Sequence, residues 1–257
     1  MMENLLNLKI QVVTKEKELK EINDIEKDIH DKNLEKSLCL LTEKIIDPEN
    51  SIGIGQSAEV FKHPEFEKSP CYKIIHTTSN IDLPLEKEAE IMLKILNENI
   101  GTETRVPLPI AVISSNKFFN QKTKKIEKKE GLVMEQIYGY TLKEILENPK
   151  LLPKTYDHNK FFSDLKIFIE KMNSFGIYHR DLHSGNIMIE EETGSPVVID
   201  FGRSTCNYSG NDDPYKQEYF ITNEQTGLGE IKTMSFSRDI DKLKENRLAM
   251  HDLTFNK

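Results

Sequence analysis

The chain has 257 residues, enough for one large domain or two small lobes with a buried core. Hydrophobic residues make up 37% and charged residues 30%, and the formal net charge of -8 argues against nonspecific nucleic-acid binding, which runs on basic patches. No apolar stretch approaches the roughly 20 residues that span a bilayer, and the start of the chain lacks the pattern of a Sec-type signal.

Three dispersed cysteines (Cys39, Cys71, Cys206) suggest neither a disulfide framework nor a zinc site, and fit a reducing compartment. Residues 1–50 read as a charged helical extension. Leu19, Ile22, Ile25 and Ile29 form a thin helical stripe, and Leu34 to Ile46 is more apolar and is expected to dock on the folded region C-terminal to it. A solvated helix, a packed one and a partner-binding one all fit this composition.

Ile52-Gly53-Ile54-Gly55-Gln56-Ser57-Ala58-Glu59-Val60 reads G-x-G-x-x-A-x-V between two strands. Glycines there let a backbone turn approach phosphates closely, although two glycines in an ordinary hairpin would look the same. Cys71 to Ile75 is a strand with Lys73 at its centre. Leu85 to Leu96 is a helix in which Glu86, Glu88 and Glu90 compete as partners for Lys73. Leu108 to Ser114 is a strand, and the basic run Asn116 to Lys129 is a hairpin tip, either solvated or a patch for an acidic partner. Gly131 to Gly139 passes from strand into a connector, and Thr141 caps a short helix.

Phe161, Phe162, Leu165, Phe168, Ile169 and Met172 lie on one face of an amphipathic helix that Gly176 ends. Then comes His179-Arg180-Asp181-Leu182-His183-Ser184-Gly185-Asn186. Asp200-Phe201-Gly202 lies fourteen residues after Asn186. Strands over 187–190 and 196–199, joined by a Glu-Thr-Gly-Ser turn, would bring Asn186 and Asp200 side by side. Either tripeptide alone arises by chance. Both in this order, each with a strand beside it, do not read as coincidence. A polar segment with Ser204, Thr205, Tyr208 and Ser209 comes next, and a last helix covers Arg238 to Leu253. Asp239 or Asp241 of that helix would bond the backbone near Asp181.

Residues 51–203 resemble the protein-kinase-like superfamily on these motifs. The resemblance implies an α+β, two-lobed protein-kinase-like fold with a reduced C-terminal lobe: the extension over 1–50, an N-lobe over 51–137 and the reduced C-lobe over 138–257. It implies ATP and Mg²⁺ as cofactors. Asp181 would accept the proton of the attacking hydroxyl, with Arg180 beside it. Lys73 would hold the α/β-phosphates, with Glu88 as its partner, because Glu88 best matches the pattern of that helix in kinases. Gly53, Gly55, Ala58 and Val60 would cover the nucleotide. Met134 would gate the adenine pocket, with Glu135 and Ile137 in the hinge. Asn186 and Asp200 would hold the metal.

Within the superfamily the chain is most similar to the compact bacterial type III secretion effector kinases of the OspG/NleH type. The loop Ile52 to Phe61 carries the likeness, with the 55 residues after Gly202 and the tail Asp239 to Met250, including Arg247-Leu248 and Met250. This implies a serine/threonine kinase, cytoplasmic in the producing bacterium or secreted into host cytoplasm, that acts on host signalling. It makes ubiquitin or a ubiquitin-loaded conjugating enzyme the first partner to test. His183 departs from the pattern, since lysine is usual two residues after the catalytic aspartate. D-L-H-x-G-N also occurs in aminoglycoside and choline kinases, so a small-molecule kinase is the second reading. A nucleotide-binding pseudokinase scaffold is the third. The short segment after Gly202 predicts activity that is not gated by phosphorylation.

Overall fold

The computed structural model describes residues 8–12, 48–55, 58–62, 70–75, 82–101, 103–120, 125–206, 213–222 and 229–255. The helical stripe of Leu19 to Ile29, the stretch Leu34 to Ile46, Cys39, Gln56, Ser57, Tyr208 and Ser209 lie outside them. The chain divides into two compact units, Met1–Ser79 with Leu108–Gln136, and Asn80–Pro107 with Ile137–Lys257.

The first unit is a six-stranded antiparallel sheet. Its strands are β1 (Leu8–Val12), β2 (Ser51–Ile54), β3 (Ala58–Lys62), β4 (Cys71–Ile75), β5 (Pro109–Asn120) and β6 (Lys125–Met134), in the order β1-β5-β6-β4-β3-β2. Period-two alternation gives the sheet two distinct faces. Phe61, Tyr72, Val133 and Ala111 stand in one cross-strand row and pack with Ile110 as an apolar cluster. The adjacent row is Gly53, Val60, Lys73 and Leu132, projecting to the other face. The sheet therefore separates its core from the residues expected to meet a nucleotide.

β1 corrects the expectation of an all-helical extension. Leu8, Ile10 and Val12 alternate with Lys9 and Gln11, a strand period, and the segment pairs with Val112 and its neighbours on β5. The basic run forms the long β5–β6 hairpin, with both strands extending beyond the expected Ser114.

The second unit contains α1 (Leu85–Asn97), β7 (Gly139–Thr141), α2 (Leu142–Glu147), α3 (His158–Ser174), β8 (Ile187–Glu190), β9 (Pro196–Val198), β10 (Lys216–Thr222), β11 (Gly229–Ser235) and α4 (Asp239–Phe255). The buried face of α3 is the predicted stripe. Gly176 comes just after the helix at φ 71, a left-handed conformation that glycine adopts without the Cβ clash. Thr141 and Glu144 make a capping box at the start of α2.

Besides Ile137–Lys257, the second unit takes in a segment from within the expected N-lobe range of 51–137. Asn80–Pro107, with α1, belongs to the second unit because its backbone is tied there. Leu83 N–H donates to Gly202 O (2.6 Å), Arg105 N–H to Pro196 O (3.2 Å) and Val198 N–H to Arg105 O (3.0 Å). The polar segment after Gly202 also holds an unpredicted hairpin, β10–β11, in register from Lys216↔Ser235 to Thr222↔Gly229.

Candidate active site

In the first unit, β2 and β3 are antiparallel neighbours. Gly55 N–H donates to Ala58 O (2.8 Å), and a Cβ on Gly55 would lie 3.1 Å from that oxygen, so a side chain there would need the backbone to give by a few tenths of an ångström. Ala58 is buried at the start of β3. Lys73 sits opposite Val60, and Val60 opposite Gly53, so three adjacent strands present the loop glycine, the valine and the lysine in one row. Lys73 is only 8% exposed.

Met134 ends β6 opposite Cys71. Glu135 is next and is locked locally. Its N–H donates to Leu108 O (2.8 Å), its carboxylate accepts from Leu108 N–H (3.1 Å), and its carbonyl faces the Cys71 thiol at 3.6 Å. Burial pushes that thiol up to about 12, so Cys71 is a packing residue and not a reactive one. Ile137 begins the second unit's share of the connector.

In the second unit, the three glutamates of α1 differ in burial. Glu88 is 2% exposed, whereas Glu90 pairs with Lys87 (2.7 Å) on the surface and Glu86 is half-buried.

The loop from His179 to Asn186 is held from three sides. Asp239, at the start of α4 and fully buried, accepts from His179 N–H and Arg180 N–H, both at 2.9 Å. Burial pushes its carboxyl above the usual range, while those amides pull the other way. Asp241, the other candidate, points outward to Lys244. His179 is fully buried against Phe201, with Nε2 at 3.0 Å from Ile199 O and Nδ1 accepting from Asp181 N–H (3.3 Å). Asn246 of α4 donates to Leu182 O at 3.3 Å.

Arg180 and Asp200 both adopt positive φ, 68 and 63, conformations that cost a non-glycine residue about 1–3 kcal/mol and persist only where the surroundings enforce them. For Arg180 the enforcement is visible. Besides Asp239 on its N–H, its guanidinium donates to Pro214 O (2.6 Å) and Gln217 Oε1 (3.1 Å) and lies over the Phe236 ring. The unpredicted hairpin therefore holds Arg180. Its readable signals are the β-forming run Tyr219 to Thr222 and the glycines at 227 and 229. Of the hydroxyls in the segment after Gly202, Ser204 is buried against His179 O and Thr205 bridges to Tyr178.

Ile187 pairs with Val198, and Ile199 N–H donates to Asn186 O at 3.0 Å. This ladder ends with Asn186 and Asp200 on its same end. Asn186 is buried, and its Nδ2 donates to Asp181 O (2.9 Å), which orients the amide and leaves its oxygen as a donor atom. One amide oxygen and one carboxylate are hard oxygen ligands that suit Mg²⁺, which takes its remaining ligands from phosphates and water. Among the described residues no cluster of three or more His, Cys, Asp or Glu could hold a metal ion.

The carboxylate of Asp181 faces two basic side chains, Arg203 at 3.4 Å and His183 at 3.8 Å. A cavity of about 180 Å³ opens beside it, lined by Asp181, His183, Arg203, Met234, Phe236 and Lys242 among others.

Residues 46–227 match the protein kinase domain family. The chain is 24% identical to the serine/threonine-protein kinase RIO2 of Saccharomyces cerevisiae over 168 residues, 59% of this chain and 37% of that protein. It is 33% identical over 82 residues to a probable serine/threonine-protein kinase, fnkB, of Dictyostelium discoideum (32% and 15%). It is 34% identical over 80 residues to the CBL-interacting serine/threonine-protein kinase 21 of Arabidopsis thaliana (31% and 18%). The chain thus spans well under half the length of each of these relatives.

Proposed function

This chain belongs to the protein kinase domain family, and from that premise we propose that it is an ATP- and Mg²⁺-dependent serine/threonine protein kinase. The observation that carries the proposal is the bond from Asn186 Nδ2 to Asp181 O, which joins the base and a metal ligand into one loop that Asp239 holds rigid. Bound Mg²⁺ would neutralise charge on the nucleotide phosphates. Asp181 orients the substrate hydroxyl and takes its proton as the new O–P bond forms and ADP leaves. Asn186 and Asp200 would present oxygens to the metal, and Lys73 would present its ammonium to the α/β-phosphates.

Asp200→Ala is expected to weaken Mg²⁺-nucleotide binding roughly tenfold or more. Calorimetry with ADP and Mg²⁺ measures it, and unchanged affinity would remove Asp200 from the metal site.

The finer reading is an effector kinase delivered from a bacterium into host cytoplasm, with a ubiquitin-loaded conjugating enzyme as its partner. It is supported by the likeness of the Ile52 to Phe61 loop and of the tail from Asp239 to Met250. Titrating that conjugate into a kinase assay, with calorimetry in parallel, is expected to show binding and a faster rate. No binding and no change in rate would remove the assignment.

A further inference from the structure

The position two residues after Asp181 is a histidine, and the geometry defines its state. His183 Nδ1 accepts from Gly185 N–H at 3.0 Å. A nitrogen that accepts does not carry a proton, so the proton sits on Nε2, the atom facing Asp181 Oδ2. In this arrangement one ring nitrogen is engaged by the backbone and the other makes a long contact of 3.8 Å to Asp181, not the fixed cation that a lysine would supply.

A fixed cation is nevertheless present. Arg203 comes directly after Asp200-Phe201-Gly202, and its guanidinium addresses two carboxylates at once: NH1 lies 3.4 Å from Asp181 Oδ2 and Nε lies 3.3 Å from Asp82 Oδ1. All three side chains are partly buried, so the pairs are screened less than pairs on the surface. The arginine's backbone is fixed as well. Leu83 N–H donates to Gly202 O, and Ser204 N–H donates to Phe201 O at 3.0 Å. Asp82 lies three residues before α1, so one planar fork links the entry to the Glu88 helix with the catalytic carboxylate.

We propose that Arg203 is the positioning residue for Asp181, supplying through its Asp82 tether the permanent charge and orientation that a lysine at 183 would otherwise give. The inference rests on the phosphotransfer reading above. Arg203 acts through Asp181: its guanidinium, 3.4 Å from Oδ2, aims the carboxylate at the hydroxyl while the proton passes from that hydroxyl to Asp181.

The test is steady-state kinetics on the full chain with ATP and a generic protein substrate, with a thermal midpoint for every variant. Arg203→Met is expected to lower kcat about 10- to 100-fold while KM for ATP and the midpoint hold. Arg203→Lys should recover part of the loss. So should His183→Lys added to Arg203→Met, because it returns a cation beside Asp181 from the other side. Asp82→Asn should lower kcat less than Arg203→Met, and the surface control Asp241→Asn should not change it. Wild-type kcat in Arg203→Met overturns the inference. So does a joint fall of kcat and midpoint that neither lysine variant repairs, because that is a structural role only. A wild-type chain that transfers no phosphate to any acceptor overturns the kinase reading itself, and this inference with it.

Discussion

Asp181→Asn is expected to lower kcat by about 10²- to 10⁴-fold, the range that a positioned general base contributes. An amide is nearly the same shape as a carboxylate but does not take the hydroxyl proton. Nucleotide affinity should be unchanged, for a reason visible in the loop: Asn186 bonds the carbonyl oxygen of Asp181, not its carboxylate. The substitution leaves that bond, the β8–β9 ladder and the Asp239 tether in place. Burst and steady-state kinetics with an isothermal nucleotide titration separate the two effects. A variant that loses nucleotide binding along with turnover would mean that Asp181 is part of the nucleotide site.

Asp239→Ala is expected to be the most damaging single change outside the reacting groups. Its two oxygens satisfy two buried donors, His179 N–H and Arg180 N–H. Orphaning a buried donor costs about 1–3 kcal/mol, and here both are orphaned together. The Asp239 bond also helps to hold Arg180 at positive φ, so its loss lets the loop relax and shifts Asp181. A misplacement of about 1 Å is enough to cost on the order of 10²-fold in rate. Asp239→Asn should fall between wild type and alanine. Its amide oxygen keeps one bond and its amide nitrogen opposes the other donor, but it carries no buried charge. Denaturant midpoints and kcat measured on both variants check the order. An alanine variant as stable and as fast as wild type would show that α4 does not brace the catalytic loop.

The candidate site residues stand out in the sequence because the chemistry proposed for them fixes their spacing. Lys73 stands on a strand, Asn186 and Asp200 flank β8 and β9, and those two strands match their expected bounds to within a residue. Residues of one type that sequence does not separate differ in burial. Three glutamates on α1 share one composition, and only packing separates buried Glu88 from the Lys87–Glu90 surface pair. Asp239 and Asp241 likewise differ in the face of α4 they occupy.

The elements that sequence conceals have local causes. β1 is five residues of alternation at the head of a strongly charged segment, and the charge obscures the period. β10–β11 comes after a polar segment, so its β-forming run reads as loop. The placement of α1 in the second unit depends on backbone bonds between residues more than a hundred positions apart in the case of Leu83 and Gly202. No local pattern encodes such a bond. Arg203 does carry a signal: a cation directly after Gly202, in a chain whose usual lysine position holds a histidine.

Transfer of labelled phosphate from ATP is the decisive measurement of the proposed kinase activity. Wild type and Asp181→Asn are assayed side by side against generic protein substrates and a panel of aminoglycosides and choline. Label is expected on serine and threonine of protein for wild type, none on the small molecules, and almost none anywhere for Asp181→Asn. Label on an aminoglycoside or choline with none on protein, or equal labelling by both chains, would contradict it.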